Sequence, residues 1–164
     1  MECNDFTGVP VRLQDTGKTV GVVADLVVSL GSGKLTGFLV RSGTIFKKLR
    51  FLSACDILHR SVYGIIIANS SVLKPYQDTQ DLRWQNDLRG KKVYDMGGKT
   101  IGSIYNLEFS AELTHIANVV VTDGIAQDVA GGRRTFRTDE LQKGQNGFIE
   151  RSKQQCQAKD LPQD

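Results

Sequence analysis

Two Gly-Lys-Thr triplets, Gly17-Lys18-Thr19 and Gly98-Lys99-Thr100, are the residues that first suggest chemistry. A phosphate-binding loop ends this way, its glycine-rich turn wrapping phosphates ahead of a helix N-terminus. Such a loop needs a glycine five residues before its last one. Those positions hold Arg12 and Val93, and a β-branched stretch follows instead of a helix. Both triplets therefore read as hairpin turns, and Gly31-Ser32-Gly33-Lys34, followed by Leu35, fails in the same way. His59 and His115 have no Cys, Asp or second His at ligand spacing, so no metal is expected. The three cysteines, Cys3, Cys55 and Cys156, are far apart and form no CxxC pair, which favours a reducing, cytoplasmic setting over a disulfide framework. No serine or cysteine sits in a nucleophile elbow. No catalytic residue, cofactor or enzymatic activity is expected.

Two sets of residues remain. Clustered cations, Lys47, Lys48 and Arg50 in one place and Arg133, Arg134 and Arg137 in another, suit RNA phosphate or an acidic protein face, and Phe46 beside Lys47 adds an aromatic that can stack or insert. The plain alternative is that such cations on strand edges and tips block unwanted pairing and keep the chain soluble. Asp25 and Asn106 occupy matching places in the two halves. Asn has no titrating proton, so the shared function is a side chain that bonds local backbone in a turn or bulge, not general acid–base catalysis. Asp56 and Glu140, each just before an apolar residue, read as capping or turn residues.

The matching comes from an internal repeat. Gly17-Lys18-Thr19-Val20-Gly21 returns as Gly98-Lys99-Thr100-Ile101-Gly102, a shift of 81 residues that also carries Asp25 to Asn106, Leu26 to Leu107 and Phe38-Leu39-Val40 to Val119-Val120-Val121. Leu52, Asp56 and Ile57 meet Phe136, Glu140 and Leu141 at a shift of 84, as loop-length variation would produce. Each copy reads as about five short strands between turns. Gly17, Gly21, Asp25, Gly98, Gly102 and Asn106 are assigned to structural turns. The fold class is all-β, two tandem small antiparallel β-barrels over residues 1–72 and 87–151. A linker at 73–86 follows from its polar, Pro-containing composition, with Leu82, Trp84 and Leu88 as a packing staple around a short helical turn. The glutamine-rich segment 152–164 is expected to be disordered.

Composition agrees. The 164 residues are 40 % hydrophobic and 24 % charged, with 17 Gly and 3 Pro, which suits a turn-rich β protein. The net charge of +3 is carried by residues 1–80, since residues 81–164 balance 12 basic against 12 acidic groups. That is too weak for a dedicated nucleic-acid binder. No apolar run approaches a membrane span and no secretory signal is expected, so membrane insertion is not predicted.

The repeated block, Asp-x-x-Gly-Lys-x-[Val/Ile]-Gly-x-[Val/Ile]-x-[Asp/Asn]-Leu followed by an apolar strand and a charged hairpin, resembles the PRC-barrel family, named after the cytoplasmic domain of the photosynthetic reaction-centre H subunit. The resemblance covers residues 6–69 and 88–151. Arg41-Ser42-Gly43-Thr44-Ile45-Phe46-Lys47-Lys48 and Val121-Thr122-Asp123-Gly124 look like stand-alone bacterial tandem PRC-barrel proteins. The resemblance implies a small β-barrel in each half and no catalytic residues. It further implies a binding role toward a protein or ribonucleoprotein partner, with direct RNA contact through the basic hairpins as the alternative.

Overall fold

Each half of the chain begins with a short strand, turns at a glycine and enters the longest strand of its sheet. In a computed structural model the described residues are 1–43, 47–124 and 133–151. Phe46, Cys156 and the segment 152–164 lie outside them, so the expectations placed on those residues end there. The first half forms β1 (Pro10–Leu13), β2 (Thr19–Ser29), β3 (Lys34–Ser42), β4 (Lys48–Ser53), β5 (Ile57–Ser61), β6 (Gly64–Ile67), β7 (Leu73–Pro75) and β8 (Leu82–Arg83). The second forms β9 (Lys92–Tyr94), β10 (Thr100–Phe109), β11 (Ile116–Thr122), β12 (Arg133–Phe136), β13 (Leu141–Lys143) and β14 (Phe148–Glu150).

Two curled sheets result. The first runs β5-β6-β1-β2-β3-β4-β7, with β8 added to β2; the second runs β12-β11-β10-β9-β14-β13. Pairing is antiparallel except at β1–β6 and β9–β14, which are parallel. Long excursions separate these partners in sequence, which is what a parallel pair requires. Curvature comes from register shifts at matching places in both halves. Val23 pairs Val40 while Asp25 pairs Leu39; Ile104 pairs Val121 while Asn106 pairs Val120. One extra residue on one strand bends it and raises its twist.

Asp25 and Asn106 therefore sit at bulges inside long strands, not in turns. Each is buried and each satisfies a backbone donor beside the bulge. Leu26 N donates to Asp25 Oδ1 at 2.8 Å, and Leu107 N to Asn106 Oδ1 at 2.9 Å. Gly17 and Gly98 do lie in turns, with φ of +69° and +86°. Gly21 and Gly102, also assigned to turns from the sequence, instead lie within β2 and β10. Their lack of a side chain serves a close crossing. A Cβ on Gly21 would meet Val40 Cγ1 at 2.6 Å, and one on Gly102 would meet Thr122 O at 2.4 Å.

The linker is more than a connector. β7 pairs β4, β8 pairs β2, and Trp84–Leu88 forms a single π-helical turn. Leu82, Trp84 and Leu88 are all buried, as a staple requires. Full burial of an apolar side chain of this size contributes roughly 1.5–3 kcal/mol.

The two halves are joined by a reciprocal exchange. Arg83 of the linker pairs Val27 of β2, while Glu2 near the N-terminus pairs Glu108 of β10. The 81-residue shift turns the first of these pairs into the second. The segment preceding each barrel thus extends the sheet of the other. Lys34 and His115, themselves related by the same shift, bridge one another. On either side of them Leu35 N donates to Thr114 O at 3.2 Å and Ile116 N to Gly33 O at 2.7 Å. This junction is an approximate two-fold axis within one chain. A single continuous apolar core runs through it, from Cys3, Phe6 and Phe38 to Trp84, Leu107 and Phe148. Among the described residues, no helix is long and apolar enough to cross a membrane.

Candidate functional site

The junction decides where the cations go. Residues 33–35 run antiparallel to 114–116, so β3 and β11 leave it in opposite directions. Nine residues of β3 at about 3.3 Å each carry the β3–β4 end roughly 25 Å away. The β11–β12 end travels the other way. Lys47, Lys48 and Arg50 therefore occupy one end of the molecule, and Arg133 and Arg134, paired with Thr122 and Val121, the opposite end; Arg137 lies back at the junction, beside Gly33 and His115. The structure holds the two groups apart and separates Arg137 from Arg133 and Arg134.

Within the second cluster the arginines differ. The Arg133 guanidinium lies over the Tyr105 ring, 4.8 Å from its centroid. Arg137 pairs with Asp139 at 2.9 Å on an exposed surface, where such a pair contributes little. The Arg137 backbone N–H also donates to Glu140 Oε2 at 2.7 Å, so Glu140 caps the 3-10 turn Thr138–Glu140, as its sequence position suggested. In the first half Asp56 closes the matching turn Ala54–Asp56, whose cap is the Ser53 hydroxyl. Arg134 alternates with Arg133 along β12 and shares a face with buried Phe136. Arg50 shares a face with buried Leu52 in the same way.

Sequence reasoning missed two members of the first cluster. Lys18, in the turn before β2, and Arg41, near the end of β3, join Lys47 around an open groove of about 580 Å³. They meet because β1–β2 pairing sets the Lys18 turn beside Thr19, while Val22 of β2 pairs Arg41 of β3. Gly21 and exposed Gly43 also line it. Among the described lining residues these three are the only charged ones. None forms an ion pair among the described residues. The signal was available: Lys18 belongs to the very Gly-Lys-Thr triplet set aside as a false phosphate loop. The second barrel puts Lys99 in place of Lys18 but Thr122 in place of Arg41, so the Lys18–Arg41 pair is not repeated there.

The other candidates sort simply. His59 is exposed on β5, and His115 is exposed at the junction with Nδ1 3.1 Å from Thr114 Oγ1. Among the described residues, no group of three or more His, Cys, Asp or Glu is placed to hold a metal. The Asp25 carboxylate also accepts Gln85 N at 3.0 Å, tying the bulge of β2 to the exchanged π-turn. Burial is the largest influence on its pKa and raises it; the N–H donors of Gln85 and Leu26 and the Arg83 charge oppose that rise. Burial likewise pushes the Cys3 thiol well up, against a hydrogen bond from the Leu107 backbone.

Two tandem small β-barrels whose charged features cluster at strand ends define a scaffold class more than a reaction. The sequence model of the PRC-barrel domain matches residues 1–64 and 84–136, which is more than half of the chain. The chain belongs to the PRC-barrel family, whose barrel is a non-catalytic module. The second matched segment begins at Trp84, the first residue of the exchanged turn. No curated protein matches the chain.

Proposed function

We propose that this protein is a non-catalytic adaptor whose barrels dock a protein or ribonucleoprotein partner. One observation carries the reading: the groove walled by Lys18, Arg41 and Lys47, three cations without an ion-pair partner among the described residues. Such a groove attracts an acidic protein face or nucleic-acid phosphate over a distance of about 8–10 Å at ordinary salt. Three cysteines without a CxxC pair, of which Cys3 and Cys55 form no disulfide among the described residues, fit action in a reducing, cytoplasmic compartment.

Affinity capture from the native host tests this. The full chain is compared with a triple variant, Lys18→Glu, Arg41→Glu and Lys47→Glu. The wild type should retain a reproducible acidic protein or ribonucleoprotein that the variant loses. Equal recovery by both would overturn the assignment, as would turnover of a metabolite by the pure protein.

Direct RNA binding is the second reading, favoured by the same groove. It requires an affinity for single-stranded RNA that falls with salt. Three phosphate contacts give a slope of about −2 in log affinity against log salt. Arg133 and Arg134, at the far end of the molecule, and Arg137, at the junction, would then add separate, weaker contacts. Loss of the captured partner after nuclease treatment separates RNA from protein. A flat salt response excludes RNA.

A further inference from the structure

We propose that the outer face of the first barrel carries a binding site for a small, uncharged aromatic molecule. After β7 the chain arches from the β4 edge back to β2, where β8 pairs. Beneath this arch lies a recess of about 420 Å³, within the range of small-molecule sites. Val27, on the face of β2 opposite the core, lies at its base. Phe51 of β4 and Tyr76 of the arch form its aromatic wall, their ring centroids 6.1 Å apart and tilted by 44°. Pro75 completes the apolar lining. A tilted pair of this kind offers an incoming ring both a face and an edge.

The recess depends on Gly37. A Cβ there would lie 2.3 Å from Leu52 O and 2.8 Å from two Phe51 ring atoms, so only glycine lets the Phe51 ring lie down on β3. The second barrel lacks these features. Glu108, Asn118 and Thr135 stand where the first barrel has Val27, Gly37 and Phe51. Asn118 Nδ2 donates to Glu108 Oε2 at 2.8 Å across the equivalent spot. A shared barrel architecture does not account for an apolar recess present on one copy and replaced by a polar pair on the other. The charged groups bordering the recess, Lys74 and Asp81, are of opposite sign, and Gln77 supplies an amide. The lining thus favours a neutral ring with one hydrogen-bonding group.

Indole serves as the probe in an NMR titration of the full chain. Saturable shifts are expected at the Val27 methyls and the Gln77 amide, with none at Glu108 or Asn118, and an affinity of roughly millimolar or tighter. Phe51→Thr, the residue of the second barrel, should weaken binding about tenfold. Gln77→Trp, at an exposed position on the arch, should block the recess; it gives up the Gln77 amide but leaves the Phe51–Tyr76 wall intact, and it keeps the test open if the Phe51 variant fails to fold. Tryptamine and indole-3-acetate should bind within about threefold of indole, because the two lining charges, Lys74 and Asp81, cancel and the further charges acting on Tyr76, from Arg83, Asp78 and Asp87, leave a single net charge at the rim, screened by solvent. No saturable shift near Val27, equal shifts in both barrels, or undiminished binding by both variants would overturn the site. A preference above about tenfold for either charged probe would overturn its neutral character.

Discussion

Gly102→Ala should be among the most damaging single-methyl additions in this protein. The added Cβ would sit 2.4 Å from Thr122 O and 2.8 Å from Thr122 C, where Cβ atoms essentially never come closer than 3.0 Å. Both obstructing atoms are backbone, so no rotamer change relieves them, and β11 must retreat from β10 by about 0.6 Å. That movement loosens the crossing that curls the second sheet, next to Val121, which is 1 % exposed. Overpacking of this kind costs about 3 kcal/mol. For a chain of this size that corresponds to a fall in Tm of about 6–12 °C. Gly21→Ala should cost less, about 1–2 kcal/mol, because its nearest obstacle is the Val40 side chain and its backbone contact is 2.8 Å. Gly31→Ala, with open space around it and no positive φ, should stay within about 0.5 kcal/mol of wild type. Urea and thermal unfolding followed by circular dichroism measure all three. The continuous core further requires one shared transition. A Gly102→Ala protein as stable as Gly31→Ala would refute the close-crossing argument, and two separated transitions would refute the shared core.

Asp25→Asn tests the bulge. Burial raises the folded pKa of Asp25, so its favourable contribution is fully present below the ordinary value of 3.8 and is lost as pH rises through the folded value. Asn106 shows that an amide can fill this place. The advantage of the Asn variant in urea midpoint should therefore grow from about pH 4 upward and then level off, by about 1.4 kcal/mol per unit of pKa elevation; a gap independent of pH refutes it. Trp84 is fully buried, and its indole N–H has no hydrogen-bond partner among the described residues. Trp84→Ala should cost about 3–5 kcal/mol and Trp84→Phe less than half of that, since no hydrogen bond is lost; equal costs would reveal a partner for the indole. Cys3 is fully buried with its thiol pKa raised, whereas Cys55 is exposed. Alkylation mapped by peptide mass spectrometry should label Cys55 in the folded protein and Cys3 only in urea; comparable labelling of both in the folded protein contradicts the burial.

The repeat made the strands legible, because the 81-residue shift aligns glycines and apolar alternation whose meaning is local. It also paired Asp25 with Asn106, an amide without a titrating proton, which pointed to backbone bonding in a turn or bulge. Gly21 and Gly102 were misplaced for a physical reason. A glycine in a turn and a glycine under a crossing strand look alike in sequence, and only the position of Val40 and Thr122 distinguishes them. The basic groove was half legible: Lys47 stood out among neighbouring cations, while Lys18 and Arg41 reach it only through strand pairing across 19 to 23 residues. The exchange was not legible. Glu2 and Glu108 carry no pattern that names them as partners, since a backbone bridge is indifferent to side-chain type. The recess under the arch depends on a linker whose polar composition reads as a connector.

The exchange of leading segments reverses the usual expectation about damage and distance. Residues at the N-terminus finish the sheet of the second barrel, and residues of the linker finish that of the first. Trimming the first few residues would thus fray β10, about a hundred positions downstream, before it disturbed β2. A break within the linker would leave two fragments, each holding a piece its partner needs, and they would find one another only at sufficient concentration. In the intact chain the tether keeps that local concentration in the millimolar range at any dilution. The architecture has the geometry of a two-subunit assembly and the concentration independence of a monomer.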